Sequence, residues 1–114
     1  MIEDKIQADI FLKVWNYYTE LRGLLFHVPN GKKRNKIDAA ILKGMGVVRG
    51  VADLLFFYQG KTYAFEVKTD VGTQSDEQIW WQGVVTKHGV TYYIVRSEEE
   101  FFSIFDKILK DAIH

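Results

Sequence analysis

Val51-Ala52-Asp53-Leu54-Leu55-Phe56-Phe57-Tyr58-Gln59-Gly60-Lys61-Thr62-Tyr63-Ala64-Phe65-Glu66-Val67-Lys68 is the stretch that decides the fold. Two runs of aliphatic and aromatic residues, 51–58 and 62–68, flank Gln59-Gly60-Lys61, which is the composition of an antiparallel hairpin with a glycine in its turn. Asp53 begins one arm and Glu66 stands near the end of the other. Thirteen positions apart in sequence, the two acids are therefore expected at the same open end of neighbouring strands. Alternation puts Glu66 and Lys68 on one face and Val67 on the other. Two carboxylates and an ammonium then converge.

Reading outward from the hairpin, Ser75-Asp76-Glu77-Gln78 has the form of a helix N-terminus, with Ser75 as cap and Gln78 three residues on. That helix is expected to reach His88, where Gly89 stops it. Thr91 to Val95 is β-branched and aromatic and predicts a strand, and a helix follows from about Glu98 to Ile113. On the other side, Ile6, Ile10, Phe11, Val14, Trp15, Tyr18 and Leu21 recur at three- and four-residue steps, predicting an amphipathic helix from Glu3 to about Arg22 that ends before Gly23. Leu24 to Val28 reads as a strand closed by Pro29-Asn30-Gly31. Asp38 to Leu42 reads as a short helix, and Gly44, Gly46 and Gly50 predict a loop. The order predicts one domain over residues 1–114, of α/β class in the α+β sense: a mixed central sheet with helices on its faces.

The 114 residues include no cysteine, which excludes disulfides, thiolate metal sites and a cysteine nucleophile. No apolar run approaches the roughly 20 residues of a membrane span, and the polar start lacks a signal-peptide pattern, so a soluble cytoplasmic protein is expected. Fifteen basic and fifteen acidic residues cancel, so net charge makes no case for nucleic acid. Their distribution does. Lys32, Lys33, Arg34, Lys36, Lys43 and Arg49 crowd the segment before the hairpin against the single acid Asp38, whereas Glu98-Glu99-Glu100, Asp106 and Asp111 make the C-terminal end acidic. Asn30, Lys32, Lys33, Arg34, Lys36 and Lys43 are the candidate contacts to a phosphate backbone.

The carboxylates of Asp53 and Glu66 and the main-chain carbonyl of Val67 are hard oxygen donors suited to Mg²⁺ or Mn²⁺. Lys68 beside them is suited to orienting water and stabilising charge at phosphorus, the tasks of phosphodiester hydrolysis. Plainer readings exist for each residue. Asp53 caps a strand, Glu66 and Lys68 form a surface ion pair, Gln78 completes a capping box, and Glu3 answers a helix dipole. His27 reads as a hydrogen-bonded strand residue. Of the pairs Tyr17-Tyr18, Trp80-Trp81 and Tyr92-Tyr93, one member each is expected in the core.

Gly50-Val51-Ala52-Asp53, then Phe65-Glu66-Val67-Lys68, then Ser75-x-x-Gln78 resembles the PD-(D/E)xK nuclease superfamily, with its restriction-endonuclease-like core, and within it the VRR-NUC branch. Glu3 with Gln7, His27-Val28-Pro29-Asn30-Gly31 with Arg34, and Ala40, Lys43 and Gly46 resemble further motifs of that branch, in order. Ala52 stands where the family usually has proline, a residue that supplies no ligand. The resemblance implies a divalent-metal-dependent DNA endonuclease. Asp53, Glu66 and the Val67 carbonyl would hold Mg²⁺ or Mn²⁺, with Glu3 contributing. Lys68 would position the attacking water, and Gln78 would orient site groups. It also implies a stand-alone bacterial or phage homodimer acting on branched DNA such as four-way (Holliday) junctions. A restriction-type duplex endonuclease and a non-cleaving DNA-binding protein on the same fold are the alternatives, and an accessory protein using the acidic C-terminal helix is a more distant one.

Overall fold

The hairpin forms as β2 (Leu54–Tyr58) and β3 (Lys61–Val67), antiparallel, with Leu54 opposite Phe65 and Tyr58 opposite Lys61. Gln59 and Gly60 make its two-residue turn, both at positive φ, 49° and 80°. That is the turn whose twist matches its strands. The computed structural model describes residues 2–29 and 36–111. On one side of the hairpin β1 (Leu25–His27) pairs antiparallel with β2; on the other β4 (Thr91–Val95) pairs parallel with β3, completing a mixed sheet of order β1-β2-β3-β4. A parallel neighbour requires a crossover, and α3 (Asp76–Thr86) supplies it.

Helices α1 (Ile2–Tyr17) and α4 (Glu98–Asp111) cover one sheet face. Ile10 and Val14 of α1 and Phe101, Phe105 and Ile108 of α4 pack on Leu25, Leu54, Phe56, Phe65, Val67 and Val95, all buried in one cluster. Phe101 and Phe105 meet Phe65 and Phe56 at ring-centroid distances of 4.8 Å each. A fully buried phenylalanine stabilises by about 1.5–3 kcal/mol through area alone, so these four rings are the main anchor of the α4 layer. The opposite face carries Ala64, Glu66 and Tyr92, with α3 above it, and Trp81 of α3 lies 6.1 Å from the Tyr92 ring. The remaining helix, α2 (Lys36–Gly44), follows β1.

Several boundaries differ from the sequence expectation: α2 runs Lys36–Gly44 rather than Asp38–Leu42, taking in Gly44, and β1 runs Leu25–His27 rather than Leu24–Val28. The first helix ends at Tyr17 rather than near Arg22, and a 3₁₀ turn, Thr19–Leu21, follows. Tyr17, Tyr18 and Thr19 are poor helix formers, and the Tyr18 hydroxyl donates to Asp106 Oδ1 at 2.7 Å, drawing the chain toward α4. Burial and that bond push the Tyr18 phenol up to about 12. The second strand begins at Leu54 rather than Val51, and the bond from Val28 N to the Asp53 carbonyl at 3.3 Å carries the β1–β2 pairing one residue beyond its last ladder pair. The helix α3 ends at Thr86 rather than His88. Of the aromatic pairs, Tyr18, Trp81 and Tyr93 are half-buried, and their neighbours Tyr17 and Trp80 are largely exposed. No helix among the described residues is long and apolar enough to cross a membrane.

Gly50, at φ +93°, lies against the first turn of α3: a Cβ there would collide with the Glu77 carbonyl oxygen and sit 2.5 Å from its carbon. Gly89 has nearly the same φ, +92°, with nothing within 4 Å. The pair separates strain from collision. Gly89→Ala is expected to cost about 1 kcal/mol for the left-handed backbone, and Gly50→Ala about 3 kcal/mol or more because main chain must also move. Urea denaturation of the two variants measures the difference.

Candidate active site

Asp53, Glu66, Lys68 and Gln78 are the four buried polar or charged residues of the described chain, and they are gathered at one place. Each is delivered by a different local feature. Asp53 sits just before β2, opposite Glu66 if the register of the hairpin is continued by one residue. Its Oδ2 accepts from Val67 N at 2.8 Å, so the side chain caps the end of the neighbouring strand. Glu66 is wholly buried, on the sheet face beneath α3. Lys68 leaves β3 with its main-chain N donating to Val95 O at 3.0 Å, which extends the β3–β4 pairing past the last ladder residue.

Gln78 joins them. Its Nε2 donates to Glu66 Oε2 at 2.6 Å, and its Oε1 accepts from Lys68 Nζ at 2.9 Å and from Ser75 N at 2.8 Å. The Ser75 hydroxyl in turn accepts from Gln78 N at 3.2 Å, completing the capping box of α3. One amide therefore starts the helix and bonds both the carboxylate and the ammonium, so the capping contact does not exclude contact with Glu66 and Lys68. The Lys68 Nζ also lies 3.5 Å from Glu66 Oε2. The surface ion-pair reading of these two fails, since both are buried.

The charge balance bears on a metal. With both carboxyls ionised, two negative charges face one ammonium in a poorly solvated place, a surplus that a hard divalent cation offsets. Among the described residues no three His, Asp or Glu side chains form one metal-binding group. The hard oxygen donors gathered here are the carboxylates of Asp53 and Glu66. Glu3 lies one loop away: its Oε2 accepts from Thr69 N at 3.4 Å and would sit 3.1 Å from a Cβ at Gly72. His27 bonds through Nδ1 to the Asp53 carbonyl at 2.7 Å, and since a carbonyl only accepts, Nδ1 carries the proton.

Asn30, Lys32, Lys33 and Arg34 lie outside the described residues. Lys36 is described only as the first backbone position of α2, and Lys43 is exposed in that helix's last turn. Arg49 is engaged with Glu77 at 3.8 Å. The C-terminal acids are partly used within the chain: Glu98 pairs with Lys13 at 2.5 Å, Asp106 accepts from Tyr18, and Glu100 accepts from Arg96 N at 2.6 Å.

No family model matches the chain, and no curated protein matches it. A solved structure described as a "VRR_NUC domain protein" superposes on 96% of this chain and 89% of its own length, with a TM-score of 0.76 at 19% sequence identity. The fold is VRR-NUC-like. At that identity the likeness is one of architecture, and it agrees with the mixed sheet and flanking helices of this chain.

Two residues beside this cluster on the VRR-NUC-like fold escaped the sequence reading. Tyr92, one strand over, accepts from Gln74 Nε2 at 3.2 Å, and burial followed by the negative field of Glu66 and Asp53 raises its phenol above the ordinary tyrosine value. Arg96 reaches back to the loop after Lys68. The strand parity of Tyr92 could have been read from the parallel pairing only once that pairing was known. Replacing the amide tests the hub: Gln78→Met keeps length and removes the donor to Glu66, and should lower stability by about 1–3 kcal/mol in urea denaturation.

Proposed function

We propose that this chain is a divalent-metal-dependent DNA endonuclease hydrolysing phosphodiester bonds. The observation that carries the reading is the buried set Asp53, Glu66, Lys68 and Gln78 at one sheet end, on a VRR-NUC-like fold. Burying two carboxylates and an ammonium is costly where no chemistry uses them, and it is the arrangement hydrolysis at phosphorus requires. Asp53, Glu66 and the Val67 carbonyl would hold Mg²⁺ or Mn²⁺, with Glu3 assisting from the loop. When bound, the ion supplies Lewis-acid polarisation of the phosphate and a more acidic water.

The side chains divide the remaining work. Lys68, fixed by Gln78 and Glu66, orients the attacking water and stabilises the charge that develops on the phosphoryl oxygens. Gln78 keeps the Lys68 ammonium and the Glu66 carboxylate in fixed relation, so little reorganisation is needed on reaction. The basic run Lys32, Lys33, Arg34, Lys36, with Asn30 and Lys43, would track the DNA backbone.

The substrate we propose is branched DNA, a four-way junction above all, cut by a homodimer in the cytoplasm of a bacterial or phage-infected cell. A twofold dimer offers two sites and two basic clusters to a symmetric substrate. An apolar stripe supports a partner: Ile37, Ile41 and Met45 recur every four residues on α2 and beyond, and are 74, 56 and 76% exposed.

Cleavage of labelled duplex, flap, splayed-arm and four-way DNA with Mg²⁺ or Mn²⁺, against EDTA, tests the reading. Asp53→Asn or Glu66→Gln should abolish cutting in a folded protein, and retention of near-wild-type turnover by either would refute the site. Lys68→Ala should lose cleavage while keeping Mn²⁺ and DNA affinity in calorimetry. Replacing Lys32, Lys33 and Arg34 with alanine should flatten the salt dependence of DNA binding by roughly one unit of slope for each phosphate that is no longer neutralised. A strict monomer by light scattering, with and without a junction, would overturn the dimer and leave the nuclease chemistry standing.

A further inference from the structure

Arg96 follows directly on β4 and is half-buried. Its Nη1 donates to the Thr69 carbonyl at 2.6 Å and to the Gly72 carbonyl at 2.8 Å, with a longer 3.4 Å approach to the Asp70 carbonyl. The two hydrogens on that nitrogen account for the two short bonds. Among the described residues the guanidinium is in no ion pair, so its charge is directed at main-chain oxygens. The backbone at Arg96 is itself held: its N donates to Glu100 Oε1 at 2.6 Å, and Glu100 N donates in turn to Ser97 Oγ at 3.1 Å. A fixed arm thus grips residues 69–72.

Those residues join the site on both sides. Thr69 is the neighbour of Lys68, and its N donates to Glu3 Oε2. The Thr69 carbonyl receives Gly72 N at 3.2 Å as well as Arg96, so both of its lone pairs are used to fold the loop back on itself. Gly72 leaves room for the Glu3 carboxylate, since a Cβ there would lie 3.1 Å from Oε2. From Gly72 the chain runs on to Ser75 and Gln78. The loop is the covalent link between the lysine and the amide that fixes it, and Arg96 at the end of β4 holds it from outside.

We propose that Arg96 is a positioning residue for this site, setting the loop that takes the Glu3 carboxylate and leads from Lys68 to Gln78. The inference rests on the nuclease reading and goes beyond it, by naming a residue that touches neither substrate nor metal. A single guanidinium nitrogen satisfies two carbonyls at fixed spacing; a lysine keeps the charge and satisfies them with poorer geometry, and methionine keeps only the stem.

The test uses Arg96→Lys, Arg96→Met, Glu3→Gln and the double variant Arg96→Lys with Glu3→Gln, each checked for folding by urea denaturation. Mn²⁺ affinity is read by calorimetry, and kcat and KM on DNA at saturating Mn²⁺. Outer residues that orient a metal site typically change affinity or activity about 10–100-fold, and Arg96→Met is expected in that range, in kcat and Mn²⁺ affinity with KM nearly unchanged. Arg96→Lys is expected in between. In the double variant, Glu3→Gln should add little to Arg96→Lys, because both act through one loop. Wild-type kcat and Mn²⁺ affinity in a folded Arg96→Lys and Arg96→Met, or losses that multiply in the double variant, would overturn the proposal. Should Arg96→Met fail to fold, Arg96→Lys and the double variant decide. If the wild-type protein cuts none of the DNAs, the nuclease reading falls, and Mn²⁺ affinity alone decides Arg96: equal or absent binding in wild type and Arg96→Lys overturns it.

Discussion

Glu66 is a carboxylate with no exposure to solvent, lying on a sheet face under a helix, and most of the surrounding architecture follows from accommodating it. A carboxylate in such a place costs several kcal/mol unless it is hydrogen-bonded and faced by positive charge. Gln78 and Lys68 provide both, at 2.6 and 3.5 Å. Gln78 can do so only if α3 begins where it does, which the Ser75 capping box enforces. The helix in turn can approach the sheet only if the chain before Asp53 lies flat against its first turn, and Gly50 permits that approach. A single buried charge therefore links a cap, a glycine, a lysine and a strand end.

The two sheet faces serve different ends. The face under α1 and α4 is filled by Phe56, Phe65, Phe101, Phe105 and aliphatic neighbours, and contributes stability without specifying chemistry. The face under α3 is less apolar, and its polar groups make a network of short bonds whose value lies in geometry rather than in net energy. β3 is buried on both faces from Ala64 to Val67, so alternate residues of one strand stabilise the domain and supply the site.

The sequence disclosed much of this because its periodicities are clean. Gln-Gly between two aromatic runs specified the hairpin, and Asp53 and Glu66 came together for that reason alone. Ser75 and Gln78 declared the start of α3 through their spacing. What stayed hidden was long-range or depended on backbone acceptors. The end of α1 at Tyr17 was set by a hydroxyl reaching Asp106, a partner 88 residues away that no local pattern announces. Arg96 carries no local signal in the sequence, since its partners are carbonyls, which every residue possesses. Glu66 and Lys68 were open to a surface ion-pair reading until burial removed it.

The connection between β3 and β4 has a kinetic meaning. β2 and β3 are joined by two residues, so their pairing closes a short loop and costs little entropy to initiate. β3 and β4 are parallel, and their first meeting waits for a crossover that includes the whole of α3. The separations within the site are all short, 13 positions from Asp53 to Glu66 and 12 from Glu66 to Gln78, whereas Arg96 reaches Thr69 across 27 positions and only through the crossover. The four buried polar groups are therefore near neighbours in sequence, and the grip of Arg96 on residues 69–72 is what marks the closed crossover. A chain whose crossover has opened loses that grip while keeping its hairpin.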